Sequence, residues 1–158
     1  MMIAPVAVVR STRALAHDDD WDREVSRIEL LPPYSAESLA GLDQFSHCEI
    51  VYVFDRVDEK DVVTTARHPR GRADWPKVGI FAQRGKARPN RLGVCVCRVV
   101  RVHGAVLHVS GLDAIDGTPV VDIKPVWRAF LPRGDVVEPA WVSELTREYW
   151  AREPGSER

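Results

Sequence analysis

The sequence predicts an all-β protein: a β-barrel of about six or seven strands with short helices and a non-Rossmann connectivity. Three features of the 158 residues lead there. Short runs rich in Val, Ile and aromatic residues recur along the chain. Turn signals such as His103-Gly104 and Asp116-Gly117 separate them. No strand–helix–strand rhythm, Gly-x-Gly-x-x-Gly or Walker loop occurs, so the common nucleotide-binding fingerprints do not apply. The length suits one domain, and 45% hydrophobic with 28% charged residues is ordinary globular composition.

Ile3 to Arg10 is short and β-branched and reads as the first strand, followed by an acidic loop, Asp18-Asp19-Asp20-Trp21-Asp22. Val25 to Leu31 sets Val25 and Arg27 against Ser26, Ile28 and Leu30, the period of a half-exposed strand. Pro32-Pro33 ends it, and Ser35 to Leu42 reads as a short helix capped by Ser35 and limited by Gly41. His47 to Phe54 is so apolar that burial on both faces is expected. Asp55 to Lys77 is a polar, Pro-bearing loop of the kind that carries function. Val78 to Ala82 reads as a further buried strand and Arg84 to Asn90 as a basic loop. Gly93 to Val102 with Ala105 to Ser110 reads as a hairpin, Val120 to Val126 as the last strand, and Glu144 to Ala151 as a terminal helix. The barrel is thereby assigned to residues 1–135 and a helical tail packed on it to 136–158. Trp127, Trp141 and Trp150 are expected to cap the barrel.

The formal charge of −1 conceals a strong asymmetry. Residues 1–66 carry a net of −7, residues 67–101 a net of +9 and residues 102–158 a net of −3. No acidic residue occurs between Asp74 and Asp113, where Lys77, Arg84, Lys86, Arg88, Arg91, Arg98 and Arg101 fall. That segment reads either as a solvated basic face or as a docking surface for a polyanion. No apolar run approaches the ~18 residues of a membrane span, and the N-terminus lacks the pattern of a signal peptide. Three cysteines do not make a disulfide scaffold. Cys95 and Cys97 are too few for a zinc site, so packed thiols, no metal and a cytoplasmic location are expected.

Two segments point to chemistry. Arg84, Arg88, Asn90 and Arg91 cluster on a short loop as planar donors for a carboxylate or phosphate. Asp113 and Asp116 bracket a turn, so their carboxylates are expected to share a pocket unless they serve only the turn. Asp122 and Lys124 lie on one face of an extended chain and are expected to pair.

Phe45-Ser46-His47, Gly79–Arg84, Arg88-Pro-Asn90-Arg-Leu-Gly93 and Leu112-Asp113-Ala-Ile-Asp116-Gly-Thr-Pro with Asp122-Ile-Lys124-Pro125 occur in that order. Together they resemble the TsaA-like, TrmO-type tRNA methyltransferase family, in its shorter subgroup, over roughly residues 3–130. The resemblance implies an S-adenosylmethionine-dependent β-barrel enzyme that works as a homodimer. Its implied reaction is N6-methylation of threonylcarbamoyl-adenosine beside the tRNA anticodon. By position, cofactor contacts are implied at Phe54, Asp55, Arg84, Val94, Leu112, Asp113, Ala114, Ile115 and Asp116. Arg88, Asn90, Arg91 and Lys124 are implied at the tRNA substrate, with Asp55 and His47 as candidate bases. Two departures stand out. Phe54-Asp55-Arg56 replaces the Phe-His-Gln of familiar bacterial members, and His17 to Glu24 occupies the place of their Pro-Arg-Gln segment. A small-molecule methyltransferase on the same barrel, or a non-catalytic RNA-binding barrel, are the alternative readings.

Overall fold

The computed structural model describes residues 2–15, 17, 19–21 and 24–150. The strands are β1 (Ala7–Arg10), β2 (Val25–Leu30), β3 (His47–Val53), β4 (Ala66–Arg67), β5 (Val78–Gly79), β6 (Leu92–His103), β7 (Val106–Ser110) and β8 (Pro119–Pro125). Six of them close a barrel in the order β1-β2-β7-β6-β3-β8, and β4 and β5 form a separate ribbon.

Alternation sets the core. Ala7 and Val9, Ile28, Cys48 with Ile50 and Tyr52, Cys95 and Cys97, Leu107 and Val109, and Val120 all point inward and are buried. Burying each large aliphatic side chain among them stabilises the fold by about 1.5–3 kcal/mol. In β2 the inward residues are Ser26 and Ile28, and Val25 stays exposed. β3 differs from expectation: only Cys48, Ile50 and Tyr52 are buried, while Glu49, Val51 and Val53 are half-buried on its outer side. A barrel wall has one interior, so an apolar run there still alternates.

The chain between barrel strands is more regular than a loop and less regular than the expected elements. Val78 to Ala82 is not a buried strand. It forms the two-residue β5 and then a 3-10 turn at Ile80–Ala82, because the buried Gln83 amide donates to Arg67 O at 3.1 Å and Val78 O at 2.9 Å and fixes a ribbon. Ser35 to Leu42 gives two 3-10 turns, Ala36–Leu39 and Leu42–Gln44, with no side-chain cap from Ser35. The terminal helix, α1, spans Ala140–Leu145, earlier than expected; Ala151 lies outside the described residues. The buried tryptophans are Trp21 and Trp75, whereas Trp127 and Trp150 are exposed at 54% and 41%. Trp127 therefore does not cap the barrel. It stacks edge-on against Phe130 at 5.7 Å on the outer wall.

All three cysteines are buried free thiols. Burial, with Cys95 beside it, pushes the Cys48 thiol from an ordinary 9.0 up to about 12, and Cys97 is also raised, chiefly by its hydrogen bond with Cys95 and by burial. A raised folded pKa means that the folded chain keeps protons the unfolded chain has released. The associated stability is full below pH 9 and is lost as pH rises toward the folded value. Urea unfolding free energies are thus expected to fall from about pH 9 upward, by ~1.4 kcal/mol per pH unit for each such thiol. A flat profile between pH 8.5 and 10.5 would contradict this account.

Candidate functional site

Because neighbouring barrel strands are all antiparallel, three connections gather at one end: residues 11–24, 54–91 and 111–118. At that end Tyr52, the last buried residue of β3, stands opposite Gly93 of β6. A Cβ on Gly93 would lie 2.4 Å from the Tyr52 ring, so glycine is the residue that lets the ring lie there. The Tyr52 hydroxyl donates to the Asp113 carboxylate and, at 3.2 Å, to the Asp113 carbonyl. Tyr149, from the segment after α1, donates to the other carboxylate oxygen at 2.6 Å. Phe54 meets the Tyr52 ring edge-on at 5.3 Å.

Arg84 donates to the carbonyl of Val94 and stands near enough to Tyr149 for its charge to favour the phenolate. Burial and then the Asp113 charge outweigh it, and both phenols are held well above the ordinary tyrosine value. They therefore remain donors at neutral pH. The carboxylate of one loop is thus bonded to a tyrosine that the sequence pattern did not single out, and the guanidinium of another loop acts on it through its charge.

The remaining expected residues divide. Asp55 is exposed on the same rim, next to the half-buried Phe54. Leu112 and Ala114 are buried core side chains that anchor the loop, and Ile115 is half-buried. Val94 is exposed on the outer wall. The Asp116 carboxylate accepts the Ser11 amide at 3.1 Å and its own amide donates to Arg13 O, tying the loop to residues 11–13. Arg88 donates to Gln83 O at 2.9 Å and Arg91 to Val57 O at 2.7 Å, so both brace the long connection. Asn90, with φ of 61°, is exposed at the turn between them. His47 and Lys124 lie at the opposite end. His47 is five residues, about 17 Å, from Tyr52 along β3, and Lys124 pairs with Asp122 as expected. A cleft of about 520 Å³ opens at that far end, lined mostly by apolar groups such as Leu30, Leu39, Phe45 and Ile123.

Two arginines missed in the sequence fasten the site. Arg56 donates to Ala14 O at 3.1 Å and Asp116 O at 2.8 Å, joining all three connections. Arg13 donates to the carbonyls of His17, Asp19 and Asp20 and lies 3.8 Å from the centroid of the Trp21 ring. Asp20 and Trp21 in turn donate their amides to Glu148 O and Tyr149 O, and Glu144 accepts from the Trp75 indole at 2.8 Å. These bonds carry the tail across the site. The Arg56 signal was the Phe54-Asp55-Arg56 departure itself; Tyr149 offered none.

Residues 16–130 match the family model of the tRNA-methyltransferase O N-terminal domain. A probable S-adenosyl-L-methionine-binding protein of Methanothermobacter thermautotrophicus is 40% identical over 129 residues, 79% of this chain and 89% of that protein. The human tRNA (adenine(37)-N6)-methyltransferase is 37% identical over 102 residues, 65% of this chain and 23% of its own length. A crystal structure of TrmO from P. aeruginosa superposes with a TM-score of 0.72 at 27% identity, over 89% of this chain and 61% of that one. The chain thus spans most of the archaeal relative and only part of the longer proteins. With four motifs, a closed barrel and this match over most of its length, the chain belongs to the tRNA-methyltransferase O N-terminal domain family.

Proposed function

We propose that this protein is an S-adenosylmethionine-dependent methyltransferase that methylates N6 of threonylcarbamoyl-adenosine beside the tRNA anticodon. The observation that carries it is the Asp113 carboxylate held by Tyr52 and Tyr149 at the loop-bearing end of the barrel, with the Arg84 charge felt at Tyr149. The donor set fits the cofactor: a carboxylate for hydroxyls or an ammonium, a guanidinium for a carboxylate, and the Phe54 ring beside them. When bound, adenosylmethionine supplies a methyl group on a sulfonium.

The protein's part is mainly positioning, which matters most when two reactants must be aligned for in-line transfer. Tyr52 and Tyr149 orient the Asp113 carboxylate, Arg56 holds the loop that carries it, and Gly93 makes room for Tyr52. Asp55, exposed on the rim, takes the role of proton acceptor; His47, at the far end of the same strand, does not share this site within one chain. The acceptor base lies in a single-stranded loop, where an unstacked base can enter without melting a duplex. A cytoplasmic homodimer completes the reading. The exposed Val94, Val96, Trp127 and Phe130 on the outer wall support a second copy.

Arg84→Ala is expected to weaken adenosylmethionine binding about 10-fold or more, the loss of one charge-assisted contact, and to weaken tRNA binding less. Calorimetry on both proteins with each ligand measures this, and equal cofactor affinity would remove Arg84 from the site. Transfer of labelled methyl to tRNA from a strain lacking the modification, followed by nucleoside analysis, tests the reaction itself.

A further inference from the structure

We infer that the outer wall of the barrel formed by β1, β2, β7 and β6 is the docking surface for the phosphate backbone of the tRNA, centred on Arg10, Arg27 and Arg101 around His108. This rests on the proposed tRNA reading and assigns the surface that serves it.

The register puts these residues side by side. Arg10 is opposite Arg27, Arg27 opposite His108, and His108 opposite Arg101. Three strand spacings give a transverse row of about 14 Å. Like charges placed directly opposite, as Arg10 and Arg27 are, destabilise a sheet. Among the described residues Glu29 is the acid that serves both, 3.1 Å from Arg10 and 3.8 Å from Arg27. Arg101 has an imidazole nitrogen of His108 at 3.3 Å instead of a carboxylate. Burial and then Arg101, Arg27 and His103 hold the His108 pKa below its ordinary value, so the ring stays neutral between guanidiniums at pH 7.

A β-bulge builds the row. The pairing of β6 with β7 shifts between Val99 and Arg101, leaving Val100 as the extra residue. Val99 and Val102 both pack on the core, so Arg98 and Arg101, three residues apart, both face outward. Regular alternation would turn Arg101 inward; a bulge re-aims a side chain in this way. The wall also reaches the loop-bearing end of the barrel, because Arg10 immediately precedes Ser11, whose amide binds the Asp116 carboxylate. By contrast Arg88 and Arg91, which the sequence offered for phosphates, donate to carbonyls of their own chain. A surface of spaced guanidiniums suits a phosphate chain, whereas the centre of a protein interface is depleted in charge.

The test is tRNA binding from 50 to 300 mM KCl by wild type, Arg27→Ala/Arg101→Ala and Arg27→Lys/Arg101→Lys, with adenosylmethionine affinity measured on each. The alanine pair is expected to bind tRNA at least 10-fold more weakly at low salt. Its log–log salt dependence should be shallower by about 1.4–1.8, the release linked to two phosphates. The lysine pair should keep most of the slope, and all three proteins should bind adenosylmethionine within 2-fold. If the alanine pair keeps wild-type tRNA affinity and slope, this wall is not the surface, whereas the tRNA reading stands. If wild type binds adenosylmethionine but no tRNA, or prefers anionic vesicles to tRNA, the substrate reading fails and this assignment with it.

Discussion

Gly93→Ala is expected to lower the melting temperature by about 6–12 °C, the largest stability effect of any single methyl group near the site. The added Cβ would lie 2.4 Å from one Tyr52 ring carbon and 2.5 Å from another. Tyr52 is 1% exposed, so its ring has no open side to swing into. Overpacking of this kind costs up to about 3 kcal/mol, and each kcal/mol moves the midpoint of a chain this size by about 2–4 °C. The requirement is for space and not for an unusual backbone angle. Displacing the ring also breaks its bond to Asp113, so cofactor affinity should fall with stability. Tyr52→Phe separates the two effects, since it keeps the ring and removes only the hydroxyl. Thermal unfolding by circular dichroism measures the shift, and a change under 2 °C for Gly93→Ala would show that the ring yields freely.

Asp113→Asn is expected to reduce adenosylmethionine affinity by about 10–100-fold while leaving the barrel folded. A hydrogen bond to a charged group contributes about 1.5–3 kcal/mol, which converts to that range. The amide is nearly isosteric with the carboxylate, and its single oxygen must then serve two phenols, Tyr52 and Tyr149, that now have one good acceptor each. Phe54 and Arg84 are untouched, so the loss reports on the carboxylate charge together with its two phenol bonds. Calorimetry on the purified variant decides it. Wild-type affinity would mean that Asp113 serves only to hold the tail, through Tyr149. In that case a Tyr149→Phe variant should lose the tail contact and bind cofactor normally.

Much of the barrel was legible in the sequence because one-sided burial writes itself as period-two alternation. Cys95 and Cys97, Leu107 and Val109, and Ile28 with Ser26 all follow it. The errors have physical causes. His47 to Val53 looks doubly buried because the outward Val51 and Val53 are apolar too, and an apolar run does not say which of its faces is covered. Ile80 is buried as Val78 to Ala82 suggested, but at a 3-10 turn pinned by Gln83, a side-chain effect that apolar runs do not encode. At the site, Arg84 and Asp113 were legible as opposite charges on two loops. Arg88, Arg91 and Asp116 were read as ligand groups, and each also makes a backbone hydrogen bond that no local pattern encodes, since a guanidinium or carboxylate suits a carbonyl or an amide of its own chain equally well.

The alternation of inward and outward residues, the tight turns and the order of the motif-bearing loops can be read along the chain, because each depends on neighbours a few residues apart. Which loop residues meet is set by how the chain closes in space. Closing the barrel brings Tyr52 against Asp113 across 61 positions and Tyr149 against the same carboxylate across 36, and a bulge in β6 sets Arg101 beside His108. Such contacts are fixed by strand register and by the path of a tail over a barrel mouth, and no local pattern of residues carries that information.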